Sequence, residues 1–135
     1  MNQPTTGERI LAFLDTAITA REKAAHGAPP GPWSVRLDDD AIVAPDGITV
    51  AEAFALSGQQ TRAILDLIAL HDATEVLRRC AADRKLIALH GGNMHSCPAM
   101  DDTGYLDEWT QFGYDDACPV LRHLAEGYGW TEGAL

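Results

Sequence analysis

Ile10, Leu11, Leu14, Ala17 and Ile18 recur at spacings of three and four behind Thr5-Thr6. This spacing predicts an amphipathic first helix running to about Ala25, with Thr5 or Thr6 as its N-cap. The stretch from Gly27 to Pro32 ends it, because proline has no N–H to donate and clashes with the preceding turn. From Trp33 the period changes to two. Trp33, Val35 and Leu37 alternate with Ser34 and Arg36, and two apolar runs, Ala41 to Ala44 and Ile48 to Ala51, flank the turn triplet Pro45-Asp46-Gly47. Two or three short antiparallel strands follow from that pattern, and so small a sheet must bury one face against helices.

Ser57-Gly-Gln-Gln60 has capping-box spacing and opens a helix carrying Ile64, Leu65, Leu67 and Ile68. Asp72-Ala-Thr-Glu75 repeats the spacing directly after His71. The pattern reads as two adjoining helices meeting at a corner, or as one long kinked helix. The later part carries Val76, Leu77, Cys80, Leu86, Ile87 and Leu89 and reaches Leu89 or His90. No clean period covers residues 91–116, where Gly, Asn, Ser, Asp and Pro predominate around scattered aromatics. A loop of that length in a small domain needs something to tie its ends. Pro119 then suits the first position of a last helix, whose face is Val120, Leu121 and Leu124 and which runs to about Glu126. The expected fold class is α+β: a small antiparallel sheet of two to three strands packed on three to four helices, with a metal-tied loop before the last helix.

Length adds a bound. With 135 residues, the chain is expected to form a single domain over 1–135, with 1–5 and 127–135 as flexible tails. The apolar share of 46% is that of a globular protein. Ten basic against twenty acidic residues give a net charge of −10, which repels phosphate backbones and anionic lipid heads. Direct nucleic-acid or membrane binding is therefore not expected, whereas a basic partner suits the surface, and charge alone would also permit mimicry of nucleic acid. There is no signal-peptide pattern and no run near the roughly 18 apolar residues of a membrane span, so the expected location is the cytoplasm. In that reducing setting three cysteines, Cys80, Cys97 and Cys118, point to metal ligation or burial before a disulfide scaffold.

The candidate chemistry is concentrated in His90-x4-His95-x-Cys97-x20-Cys118. Two imidazoles and two thiolates form the mixed N/S set that zinc takes tetrahedrally, and with a dication the charges sum to zero, which suits burial. Cys118 before Pro119 would sit at a helix N-terminus, where the dipole favours the thiolate. Asp102, Asp107, Asp116 and His123 are the substitutes should one of the four not bind. The plainer readings are that Cys97 and Cys118 are small buried hydrophobes and that His90 closes a helix C-terminus. Cys80 reads as core, and Trp33 and Trp109 as core or core edge, while the position of Trp130 stays open.

A catalytic use of the same atoms would leave one metal position open for water, with Asp116 or Glu108 as base, giving a metal-dependent hydrolase. Neither the HExxH spacing nor that of the zinc deaminases is present, and Cys97 with His95 lacks an orienting third group, so the chain is not expected to be an enzyme. Asp101, Asp102, Asp107 and Glu108 miss the ladder of a calcium loop. Gly91-Gly92 follows a helix, and so reads as a C-cap and not as a phosphate cradle.

Several segments together resemble a family of small proteins of unknown function from actinobacteria and their phages: Gly31-Pro32-Trp33, Ile68 to Arg78, Lys85-Leu-Ile87, Leu89-His90 and Cys118 to Ala125. The resemblance covers most of the chain from Gly31 on. It implies a Leu-His at the end of the long helix, a cysteine-containing loop and a Cys-Pro before the final helix, which His90, Cys97 and Cys118 match. The family often has two cysteines close together in the loop, where this chain has His95 beside Cys97. His71, at the family's His-Asp corner, reads as a packed histidine donating to a carbonyl or to Asp72. The resemblance supplies no activity; it suggests a phage or actinobacterial accessory protein that binds a host protein. The function expected is thus a small acidic zinc-stabilised module that binds or regulates a protein partner. An obligate homo-oligomer without metal is the plainest alternative.

Overall fold

The structure, a computed structural model, describes residues 3–100, 103–107 and 109–132. In chain order its elements are α1 (Thr6–Gly27), β1 (Ser34–Arg36), β2 (Ala41–Val43), β3 (Thr49–Glu52), α2 (Gly58–Leu70) and α3 (Ala73–His90). Then come β4 (His95–Ser96), β5 (Ala99–Met100), β6 (Leu106–Asp107), β7 (Gln111–Phe112) and α4 (Pro119–Gly127). The fold class is the expected α+β, with small antiparallel sheets, helices, and the His/Cys cluster just before the last helix. These elements fall into two compact units, one formed by the residues up to Thr19 with those from Ala81 onward, the other by Ala20–Cys80. The division passes through α1 and α3.

In the unit from Ala20 to Cys80, β1, β2 and β3 form an antiparallel meander in which Val35 faces Ile42 and Ile42 faces Ala51. Its turns follow from side-chain chemistry. Asp40 takes the left-handed conformation (φ 50°) that a short polar residue tolerates, and Arg36 grips Asp39 across the same turn. At the second turn Asp46 accepts the Ile48 N–H, and Gly47 supplies φ 88°. Ala41, Ile42, Thr61 and Leu65 are buried here.

Ser57 caps α2 by accepting the Gln60 N–H, as the sequence spacing implies. The helix ends at His71, whose N–H returns to the Ile68 carbonyl, so α2 and α3 are separate helices meeting at a corner. The packed residue at this corner is Asp72, not His71. His71 is exposed, whereas the Asp72 carboxylate is buried, accepts the Glu75 N–H to cap α3, and accepts the Trp33 N–H with its other oxygen. Gly31 lies against that carboxylate so closely that a Cβ there would approach it to 2.5 Å, and its N–H donates to the Thr74 hydroxyl. Two segments singled out in the sequence, Gly31-Pro32-Trp33 and Asp72 to Glu75, thus form one hydrogen-bonded cradle. Trp33 is half-buried and donates its indole N–H to the Pro29 carbonyl.

The other unit has its core in Ile10 and Leu14 of α1, Leu121 and Ala125 of α4, and Cys97, Ala117, Cys118 and Trp130. A reciprocal capping box starts α1: the Thr5 hydroxyl accepts the Glu8 N–H while Glu8 accepts the Thr5 N–H, which identifies Thr5 as the cap. Gly7 is required by proximity, since a Cβ there would lie 2.2 Å from the Asp115 carbonyl oxygen. Beyond α4, Tyr128 donates to the buried Asp83, and the Trp130 ring packs edge-on against Phe13 at 5.3 Å. Among the described residues, no helix is long and apolar enough to cross a membrane.

Residues 91–116 are not a bare loop. β4 pairs with β7 and, inside them, β5 pairs with β6, both antiparallel, with the Cys97 N–H to Thr110 carbonyl bond between the two pairs. The result is a nested ribbon whose ends lie beside the end of α3 and the start of α4.

Candidate metal centre

Each of the four sequence candidates is delivered by a different piece of local structure. His90 is the last residue of α3, which Gly91 closes through its N–H to the Ile87 carbonyl, followed by Gly92 at φ 66°. His95 opens β4, and Cys97 follows it, fixed by its bond to Thr110. Cys118 is the N-cap of α4 ahead of Pro119, and its side chain makes no capping bond.

The structure brings all four together. One ligand atom from each of His90, His95, Cys97 and Cys118 lies within 4.8 Å of the others, with the two sulfurs buried and the two imidazoles half-buried. His90 Nδ1 is 3.3 Å from His95 Nε2, 3.5 Å from Cys97 Sγ and 3.5 Å from Cys118 Sγ. A tetrahedral zinc with Zn–N of about 2.1 Å and Zn–S of about 2.3 Å requires N···N near ~3.4 Å and N···S near ~3.6 Å. The three separations from His90 match this and all four donors lie within 4.8 Å of one another, so the residues present fit such an ion.

The surroundings orient the donors. His95 places Nδ1 3.0 Å from the Asn93 carbonyl, so a proton held there leaves Nε2 as the lone pair facing His90 and the sulfurs. Asn93 is itself pinned through its side-chain amide to the Ala88 carbonyl at the end of α3. Phe112, directly across the β4–β7 pair, covers the His95 ring at 5.9 Å between centroids. Sequence reasoning passed over Asn93, although a Gly-Gly-Asn following a helix is a signal of a fixed chain reversal.

Electrostatics favours the ligand form of the imidazole. Burial, and then the neighbouring His95, lower the His90 pKa, which keeps the ring neutral despite its place at a helix C-terminus. The thiols respond in the opposite sense. Burial, followed by the charge and hydrogen bond of Cys118, raises the Cys97 pKa, so two adjacent thiolates need a cation between them.

Three of the substitutes are engaged in other contacts. Asp107 accepts from the Trp109 N–H and the Thr110 hydroxyl, Asp116 accepts the Gly113 N–H, and His123 pairs with Glu126 at the surface. Asp101, Asp102 and Glu108, named for calcium, substitution or base roles, are outside the described residues. Cys80 is buried as expected, and none of the three cysteines is in a disulfide. Trp109 is not core: it is 80% exposed, because it follows the turn that Asp107 organises at the edge of the ribbon.

No curated protein and no solved structure matches the chain. A family model does match, across residues 7–129, a span that contains the Gly31–Asp72 cradle and all four donors. The chain therefore belongs to DUF6221, a family of unknown function.

Proposed function

We propose that the protein is a small zinc-stabilised module that binds or regulates a protein partner, and that the ion is structural. The observation carrying this reading is the convergence of two imidazoles and two thiols within 4.8 Å of one another, with His90 at tetrahedral ligand spacing from the other three. Four protein donors fill the coordination shell and leave no position for an activated water. Bound there, zinc would tie the end of α3, the first ribbon strand and the start of α4, at net zero charge, in a chain whose total is −10. A role as an accessory protein of an actinobacterium or its phage, acting on a host protein, belongs to the same proposal.

The test is elemental mass spectrometry on protein purified without added metal or an affinity tag, beside Cys97→Ala and Cys118→Ala. About one zinc per chain is expected, lost in either variant together with helical circular dichroism. Absence of metal with unaltered folding would overturn the reading. Metal-dependent hydrolysis, the competing reading, requires one of the four donors to be replaced by water, which X-ray absorption of the loaded protein would reveal as an oxygen at bonding distance.

A further inference from the structure

We propose that the ribbon from β4 to β7 is a docking surface for a basic, amphipathic segment of another protein. This rests on the preceding reading only in that the metal would hold the ends of the ribbon in place. Within residues 94–114, Met94, Met100, Tyr105, Leu106, Trp109 and Tyr114 are all exposed, Trp109 by 80% and Tyr105 by 75%. Single exposed apolar residues need no explanation, but Met100 and Leu106 are direct partners across β5–β6 and so share one face of the ribbon. Trp, Tyr and Met are the residue types enriched at the centres of protein interfaces, and their large rigid or adaptable side chains are poor choices for a surface meant only to be wetted.

Charge selects the occupant. Of the described residues from 91 to 118, Asp107, Asp115 and Asp116 are acidic and none is Lys or Arg, so the segment that carries these apolar side chains is anionic. A segment with Lys or Arg beside apolar residues satisfies both features, its cations reaching the carboxylates and the faces of Trp109 and Tyr105. A second copy of this chain would bring like charges against their own kind and is disfavoured, as are phosphate-bearing partners.

The probe is a fluorescein-labelled peptide of alternating Lys-Lys-Leu-Leu sequence, titrated by anisotropy against the full zinc-loaded chain. A Lys→Gln peptide and a Tyr105→Ser/Trp109→Ser variant serve as comparisons. Saturable binding is expected, weakened at least tenfold by the Gln peptide, at least tenfold by the double variant, and progressively by salt. Equal binding by wild type and variant would overturn the proposal as charge attraction alone, and so would equal affinity for both peptides or no binding at millimolar peptide. Concentration-dependent self-association that the double variant abolishes would assign the surface to a second copy and also overturn it. Zinc content and circular dichroism on the same samples separate the two readings: a variant that keeps zinc and helicity tests the surface alone, while a wild type without zinc removes the metal reading and leaves the peptide result standing.

Discussion

Trp130 shows how much one side chain contributes by shape and how little by its polar atom. Its ring meets Phe13 inside the core, yet its buried indole N–H has no hydrogen-bond partner among the described residues. Trp130→Phe keeps most of the contact and removes an unsatisfied donor, so its effect is expected within about 1 kcal/mol, whereas Trp130→Ala should cost about 3–5 kcal/mol. Urea titration of both variants checks this, and equal losses would show that the N–H matters after all. Placement of this kind was not legible in the sequence. A lone Trp after a short helix has no periodicity to say which way it turns, and the same ambiguity put Trp109 in the core or at its edge and His71 inside its corner. At 71–72 the deciding factor is the helix ending: once His71 turns its backbone N–H back to Ile68, the next residue is the one aimed inward. The four donors were legible because thiol and imidazole are scarce and their chemistry is shared.

At the scale of elements, the helices were legible because each carries both a 3.6-residue period and a chemical start signal. The two caps carry different weight. Ser57 only accepts the Gln60 N–H at an exposed helix start, so Ser57→Ala is expected to cost about 1 kcal/mol. Asp72 caps α3 and also holds the Trp33 N–H from a buried position, so Asp72→Ala adds an unsatisfied donor to the lost cap and should cost about 2–4 kcal/mol. Chemical denaturation should rank the variants in that order; the reverse order would mean that the Trp33 contact contributes nothing. Strands β4 to β7 were not legible, because two residues are too few to show alternation. Their order comes from pairing across the ribbon and from the residues at its ends, which a linear pattern does not display.

For the whole molecule, the cluster makes stability depend on pH in a way that reports the metal. In the metal-free chain the folded state holds His90 neutral, with its pKa below the ordinary 6.5. That contribution is complete above pH 6.5 and is lost as pH falls through the lowered value. The Cys97 thiol is raised above its ordinary 9.0, so its contribution is complete below pH 9.0 and is lost as pH climbs through the raised value. Chelator-treated, reduced protein should therefore melt highest between these limits, while zinc-loaded protein should keep only the acid loss, since the ion replaces the thiol protons. Thermal melts from pH 5 to 10 with and without zinc check this, and identical curves would count against a bound ion. The Gly31–Asp72 cradle has a consequence for inheritance. A side chain at 31 collides with the carboxylate, and removing the carboxylate releases both Trp33 and the first turn of α3. Having lost its carboxylate, position 72 no longer opposes a methyl at 31, so Gly31→Ala/Asp72→Ala should be less damaging than the sum of its single changes. The two positions are then a single unit of variation, and among relatives of this chain glycine at 31 should persist wherever 72 remains aspartate and drift where it does not.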